Sequence, residues 1–193
     1  MSGRVAAIVL AGGRSARFGR DKVVEPIGGS TMLDHVIERL TGIGEVVVVG
    51  PADGERAVPA DVRLVRDTLA FEGPLAGLAT GLRSLDPGIE RVIVVGGDMP
   101  TLVPLVLERL LAALDRREAA VLVDDDRPRV LPLALRPAVA EPHAIALLDS
   151  GERRLRALLE KLDVEAIPST VWRADDPDGA TLRDVDVPDD LPG

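Results

Sequence analysis

The sequence predicts an α/β domain, a three-layer structure in which a mostly parallel sheet carries helices on both faces. Three observations carry that prediction. Short apolar runs such as VAAIVL, EVVVV and RVIVV show no polar alternation, the pattern of strands buried on both sides. Leucines and valines recur at helical spacing between those runs. The two patterns take turns along the chain, as they do in folds wound from strand–helix units.

Val5–Leu10 is the first strand. Leu33, Val36, Ile37 and Leu40 then mark a helix, with Ser30 or Thr31 available as its N-cap. Glu45–Val49 and Val62–Val65 are the second and third strands. Leu75, Leu78, Leu82 and Leu85 define another helix, and Pro74 suits its first turn. Arg91–Val95 is the fourth strand. Val103, Leu107, Leu110, Leu111 and Leu114 form the helix after it, with Pro104 in the first turn and Thr101 a better cap than Asp98. Ala119–Val123 is the fifth strand. Beyond it come the run Val130–Leu135, a helix carrying Leu155, Leu158, Leu159 and Leu162, and a short strand near Val164–Ile167. The acidic, proline-rich tail from Arg173 either frays or folds back on the sheet.

With 193 residues the chain suits one domain, 1–193. It has no cysteine, which excludes disulfides, thiolate zinc sites and cysteine nucleophiles. The net charge of −9 and the presence of only three aromatics (Phe18, Phe71 and Trp172) argue against a nucleic-acid binder. No apolar run approaches the ~20 residues of a membrane span, and the N-terminus reads as a strand rather than a signal peptide. A cytoplasmic protein with no membrane partner is expected. His35 falls in a helical pattern and His143 follows a proline in a loop-like stretch. Neither has a matching nucleophile or ligand spacing, so both are read as structural.

Against this acidic background, LAGGRSARFGRDK (residues 10–22) is a cationic island. It is not a Walker A loop, because no Ser or Thr follows the lysine, and it lacks the GxGxxG dinucleotide pattern. A strand leads into a glycine pair and spaced cations. Backbone N–H groups of such a turn can cradle phosphate oxygens, and Arg17 and Lys22 can neutralise charge on a leaving phosphate. Ligands in these folds sit beyond the carboxyl ends of the strands. GGDMP (residues 96–100) follows the fourth strand, so Asp98 projects at the same sheet edge. Mg²⁺ typically takes one or two protein carboxylates, with phosphate and water completing its shell.

LAGGRSARFGRDK resembles the signature loop of the molybdenum cofactor guanylyltransferases, approximately LAGG.S.RMG.DK, with Phe18 in the methionine place. The resemblance implies a Rossmann-like nucleotidyltransferase fold. It also implies transfer of GMP from GTP to the terminal phosphate of molybdopterin, with release of pyrophosphate. Leu10, Ala11, Gly12 and Gly13 would hold base and phosphates through backbone. Arg17 and Lys22 would stabilise the leaving pyrophosphate, and Asp98 would hold Mg²⁺, with Mn²⁺ as a substitute. RDTLAFEGPLAG (residues 66–77) matches a third family stretch, which assigns Asp67, Gly73 and Pro74 to the nucleotide. Expected partners are GTP, a molybdopterin-type acceptor, and other cofactor-biosynthesis proteins or molybdoenzyme apoproteins.

SGERRLRALL (residues 150–159) resembles the family segment before a late helix. Arg153, Arg154 and Arg156 either approach an anionic acceptor or form a charged helix face. VLPLALR (residues 130–136) resembles the strand beside the acceptor. The tail departs from the pattern: RDVDVPDDL stands where the guanylyl family has NxNTPxDL, so Asp184 and Asp186 replace two asparagines. Related cytidylyltransferases often carry a DxDTP-like motif there. Asp186 is therefore a candidate second metal ligand, with a solvated acidic tail as the other reading. Gly50 and Pro51 follow the second strand, where some members place an asparagine on the nucleotide, and no role is carried over to them. The alternatives are a cytidylyltransferase using CTP on the same pterin, a sugar-phosphate nucleotidyltransferase, and a non-catalytic nucleotide-binding module.

Overall fold

A computed structural model of the chain describes residues 3–12, 26–27, 29–51, 57–66 and 73–183. In order the elements are β1 (Arg4–Leu10), β2 (Pro26–Ile27), β3 (Ser30–Thr31), α1 (Met32–Arg39), β4 (Glu45–Gly50), β5 (Val62–Arg66) and α2 (Pro74–Ser84). They continue with β6 (Ile89–Gly96), α3 (Pro104–Ala113), β7 (Ala119–Asp124), β8 (Arg127–Leu135), α4 (Pro137–Asp149), α5 (Leu155–Leu159), β9 (Val164–Ile167) and α6 (Ser169–Trp172). A 3-10 turn, Ala180–Leu182, follows.

Seven strands form one sheet in the order β5-β4-β1-β6-β8-β7-β9. All neighbours run parallel except at β8, which is antiparallel to both β6 and β7. β2 and β3 make a separate antiparallel pair. Because strand side chains alternate in direction, the central strands divide their residues between two layers. Ala7, Val9, Val46, Val48, Ile93 and Val95 pack with α1, α3 and Trp172 on one side. Ala6, Ile8, Val47, Val49, Val92 and Val94 pack with α2, α4 and α5 on the other. That double burial is why the strands read as uninterrupted apolar runs. The three-layer arrangement agrees with the sequence prediction.

Local signals account for most boundaries. Thr31 caps α1 in a reciprocal capping box with Asp34: its hydroxyl accepts the Asp34 N–H at 3.1 Å, and the Asp34 carboxylate accepts the Thr31 N–H at 2.7 Å. Pro74, Pro104 and Pro137 each open a helix, where a missing N–H costs nothing. In α2, Leu75, Leu78 and Leu82 are buried, each contributing roughly 1.5–3 kcal/mol. At the amino edge of the sheet Arg63 pairs with Asp86 at 2.7 Å and Glu45 at 3.1 Å, and Arg4 joins Asp86 at 3.6 Å.

Four expectations need correction. Thr101 does not cap α3; Val103 occupies the N-cap without a side-chain bond, and the Thr101 hydroxyl donates elsewhere. His143 lies inside helix α4, not in a loop. Small alanines and two prolines blur the period of PAVAEPHAIALLD, so no helix was expected there. The helix around Leu158 ends at Leu159, short of Leu162. Val130–Leu135 is the second half of a longer strand that turns back from β7 through Asp125 and Asp126, both left-handed at φ 47° and 57°. Of the two readings of the tail, folding back holds through Arg183: Arg109 Nε meets Asp175 at 2.5 Å and the Trp172 indole N–H donates to the Val123 carbonyl at 2.9 Å.

Candidate active site at the carboxyl edge of the sheet

Strand order locates the crevice. β1 has β4 on one side and β6 on the other. The chain leaving β1 goes to β4, whereas the chain leaving β6 goes to the β8–β7–β9 half. Open α/β sheets bind ligands beyond the carboxyl ends of strands where the winding reverses in this way. Here that point lies between the ends of β1 and β6, which are Leu10 and Gly96, paired in register.

Two backbone hydrogen bonds lock the strand ends together. The Leu10 carbonyl accepts the Gly97 N–H at 3.0 Å, and the Ala11 N–H donates to the Val49 carbonyl at 2.9 Å. Gly12 lies against the Gly50–Pro51 peptide, its Cβ position 3.8 Å from both the Gly50 carbonyl carbon and the Pro51 nitrogen. The first residues of the glycine-rich loop therefore border the exits of both β4 and β6. Asp98 is exposed at this edge. Its carboxylate folds over the end of β6: a Cβ on Gly96 would stand 2.6 Å from Asp98 Oδ1. Gly96 thus makes the space the carboxylate occupies, a role sequence reading missed although GGD was in view.

The start of α2 meets the arginine segment ahead of α5. Gly73 has φ 91° and ψ 174°, a region essentially confined to glycine. The Arg153 carbonyl accepts the Leu75 N–H at 3.3 Å, so Gly73, Pro74 and Arg153 are neighbours. Glu152, which sequence reading passed over, organises that segment. Its Oε1 accepts the backbone N–H groups of Arg153 at 2.8 Å and Arg154 at 3.0 Å, and its Oε2 accepts Arg154 Nη2 at 2.6 Å. Those donors, led by the Arg154 side chain, pull the Glu152 carboxyl down to about 2. Arg153 Nη1 donates to the carbonyls of Leu148 and Glu152. Arg156 does not join this cluster. It lines a separate cavity of about 280 Å³ with Val121, Pro128, Val130 and Val164. Gly13, Arg17, Lys22, Asp67 and Asp186 lie outside the described residues.

A family model for the MobA-like NTP transferase domain matches residues 7–166. The chain is 35% identical over 192 residues to a probable molybdenum cofactor guanylyltransferase of Mycobacterium marinum, covering 97% of this chain and 92% of that one. The chain belongs to the MobA-like NTP transferase family. Among solved structures, a molybdopterin-guanine dinucleotide biosynthesis protein A from Archaeoglobus fulgidus superimposes with a TM-score of 0.78 at 24% identity, covering 95% and 93% of the two chains. The 2-C-methyl-D-erythritol 4-phosphate cytidylyltransferase of Thermus thermophilus shares the fold at TM-score 0.70 and 15% identity, covering 95% and 93%.

As a MobA-like protein the chain is a nucleotidyltransferase, and the site can be weighed against that chemistry. Among the described residues no three His, Asp or Glu side chains gather as a metal cage. An exposed single carboxylate such as Asp98 fits Mg²⁺, which keeps water and substrate phosphate in most of its shell. No helix among the described residues is long and apolar enough to cross a membrane.

Proposed function

We propose that this MobA-like nucleotidyltransferase transfers GMP from GTP to the terminal phosphate of a molybdopterin acceptor and releases pyrophosphate. The observation that supports the reading is the Leu10–Gly97 hydrogen bond, which sets the chain entering the glycine loop beside the start of the Asp98 loop at the switch point. The name borne by the 35%-identical mycobacterial relative supports the guanylyl donor and the molybdenum cofactor acceptor.

An acceptor phosphate oxygen attacks the α-phosphorus of GTP in line. The new oxygen–phosphorus bond forms as the bond from the α-phosphorus to the bridging oxygen breaks, and pyrophosphate departs with that electron pair. No covalent enzyme intermediate is needed, so catalysis is positioning plus charge neutralisation. The backbone of Leu10–Gly13 holds base and phosphates. Arg17 and Lys22 take up the charge growing on pyrophosphate. Asp98 holds Mg²⁺, which when bound screens the charge of the α- and β-phosphates. Asp186 is a second metal ligand in this reading. Gly73 and Pro74 bring the start of α2 close to the nucleotide, with Asp67 beside it. Arg153 and Arg154, anchored next to Gly73, meet the anionic acceptor. To reach the acceptor the exposed Arg154 guanidinium leaves the Glu152 carboxylate, which it meets at 2.6 Å. Arg156, which lines its own cavity, is the third arginine of this reading.

The acidic tail motif favours a second reading, a cytidylyltransferase acting on the same pterin. Pyrophosphate release with GTP and with CTP separates the two. Faster turnover with GTP supports the proposal, and faster turnover with CTP rejects it. Asp98→Ala should abolish pyrophosphate release; retained release would reject the role given to Asp98, and a wild-type protein that binds GTP without releasing pyrophosphate would be a nucleotide-binding module instead.

A further inference from the structure

Thr101, Asp176 and Thr181 are the buried polar side chains among the described residues, and one hydrogen-bond network contains all three. Asp176 lies after α6. Its carboxylate oxygens accept the Ala180 N–H at 2.9 Å and the Thr181 N–H at 2.7 Å, closing a turn. That turn is tied to the connection between β6 and α3. The Thr101 hydroxyl donates to the Ala180 carbonyl at 2.7 Å, and the Val103 N–H donates to Thr181 Oγ1 at 3.2 Å. Val103 is the N-cap of α3 and has no side-chain oxygen of its own to cap with. A hydroxyl 78 residues further along the chain answers the Val103 N–H instead.

The location gives the network its meaning. Thr101 and Val103 stand three and five residues beyond Asp98. The loop that carries Asp98 is held at its start by the Gly97–Leu10 bond and at its end by the turn after α6. That turn also leads directly into the tail, since Thr181 precedes Asp186 by five residues. Buried polar groups are costly unless their partners are in place, so this connection has one favoured geometry. Small displacements of a ligating group can cost large factors in function.

We propose that Thr101, Asp176 and Thr181 are positioning residues that lock the Asp98 loop to the chain entering the tail. Metal affinity at Asp98 then depends on side chains that touch neither metal nor nucleotide. This inference rests on the reading of Asp98 as the residue that holds the metal.

The test uses the full chain with GTP present and Mn²⁺ as probe. Mn²⁺ binding is read by electron paramagnetic resonance, and the Mg²⁺ half-saturation and kcat by pyrophosphate release. Thr181→Val should weaken Mn²⁺ binding about 5-fold or more and raise the Mg²⁺ half-saturation by a larger factor than it lowers kcat. Thr181→Ser, which keeps the hydroxyl, should restore both to within about 2-fold. A Thr181→Val protein that melts earlier yet binds Mn²⁺ like the wild type would make the network purely structural and overturn the inference. Asp98→Asn is measured alongside. If it shifts Mn²⁺ binding and Thr181→Val does not, the inference alone fails. If Asp98→Asn changes nothing, the metal reading fails and the inference falls with it. Should Thr181→Val not fold, Thr101→Val, which deletes only the donor to Ala180, decides by the same comparison.

Discussion

Gly73 and Arg153 touch backbone to backbone: a Cβ on Gly73 would stand 3.1 Å from the Arg153 carbonyl oxygen and 3.2 Å from the Arg153 Cβ. Two segments 80 residues apart in sequence thereby meet at the start of α2. Gly73→Ala meets both an unfavourable backbone conformation, at φ 91°, and this contact. A loss of about 1–3 kcal/mol of stability is expected, readable as a lower urea midpoint. On the proposed function the KM for GTP rises as well, because the start of α2 must back away from Arg153.

Gly96→Ala should behave differently. The atom nearest its new methyl group is the tip of the Asp98 side chain, at 2.6 Å, and an exposed carboxylate moves at little cost. Stability should change by less than about 1 kcal/mol, while the carboxylate is displaced from the end of β6. On the proposed role of Asp98 as the residue that holds the metal, pyrophosphate-release assays should then show a Mg²⁺ half-saturation raised about 10-fold. An unchanged Mg²⁺ requirement would separate the carboxylate's resting position from its function.

Glu152 supplies a pH signature. Its carboxyl is held at about 2, against an ordinary value of 4.5, chiefly by the Arg154 side chain and then by two backbone N–H groups. A carboxyl depressed in the folded state adds stability that is complete above its ordinary value and is lost as pH falls through the folded value. The clasp on Arg153 and Arg154 should therefore weaken between pH 4.5 and about 2. Carbon-detected NMR titration of the Glu152 carboxyl should give that low midpoint, and Glu152→Gln should remove the corresponding acid-side loss of stability.

Gly81→Ala tests the fit of α2 on the sheet. Alanine gains about 1 kcal/mol of helix propensity over glycine. Its methyl group would come within 2.8 Å of Ile8 Cγ2 and 3.1 Å of Val49 Cγ2. Both neighbours are fully buried in the core, where overpacking costs typically 1–3 kcal/mol. The contact should win, giving a lower melting temperature in spite of the better helix former.

The sheet was legible in the sequence because its central strands are buried on both faces, so Val46–Val49 and Val92–Val95 carry no polar interruption. The helix starts at Pro74 and Pro104 were equally plain. Helix α4 was not, since Ala140 and Ala144 bury too little to stand out and Pro142 reads as a breaker. The positions of Leu10, Gly12 and Asp98 at strand ends are legible because a motif follows each strand. Glu152 and Asp176 escaped because their work is done on backbone N–H groups, which leave no residue pattern. Thr101 was misread for a related reason: its hydroxyl reaches the Ala180 carbonyl, 79 residues away, rather than the helix beside it.

The reversed direction of β8 has an architectural consequence. A strand running against its neighbours turns its connection from β7 toward the glycine-loop edge, so the Asp125–Asp126 hairpin tip projects there. Residues can be added to or exchanged at that tip without altering the spacing of β1, β4 or β6. The fold thus contains a graft point at the carboxyl edge of the sheet, where chain can be added while β1, β4 and β6 keep their register.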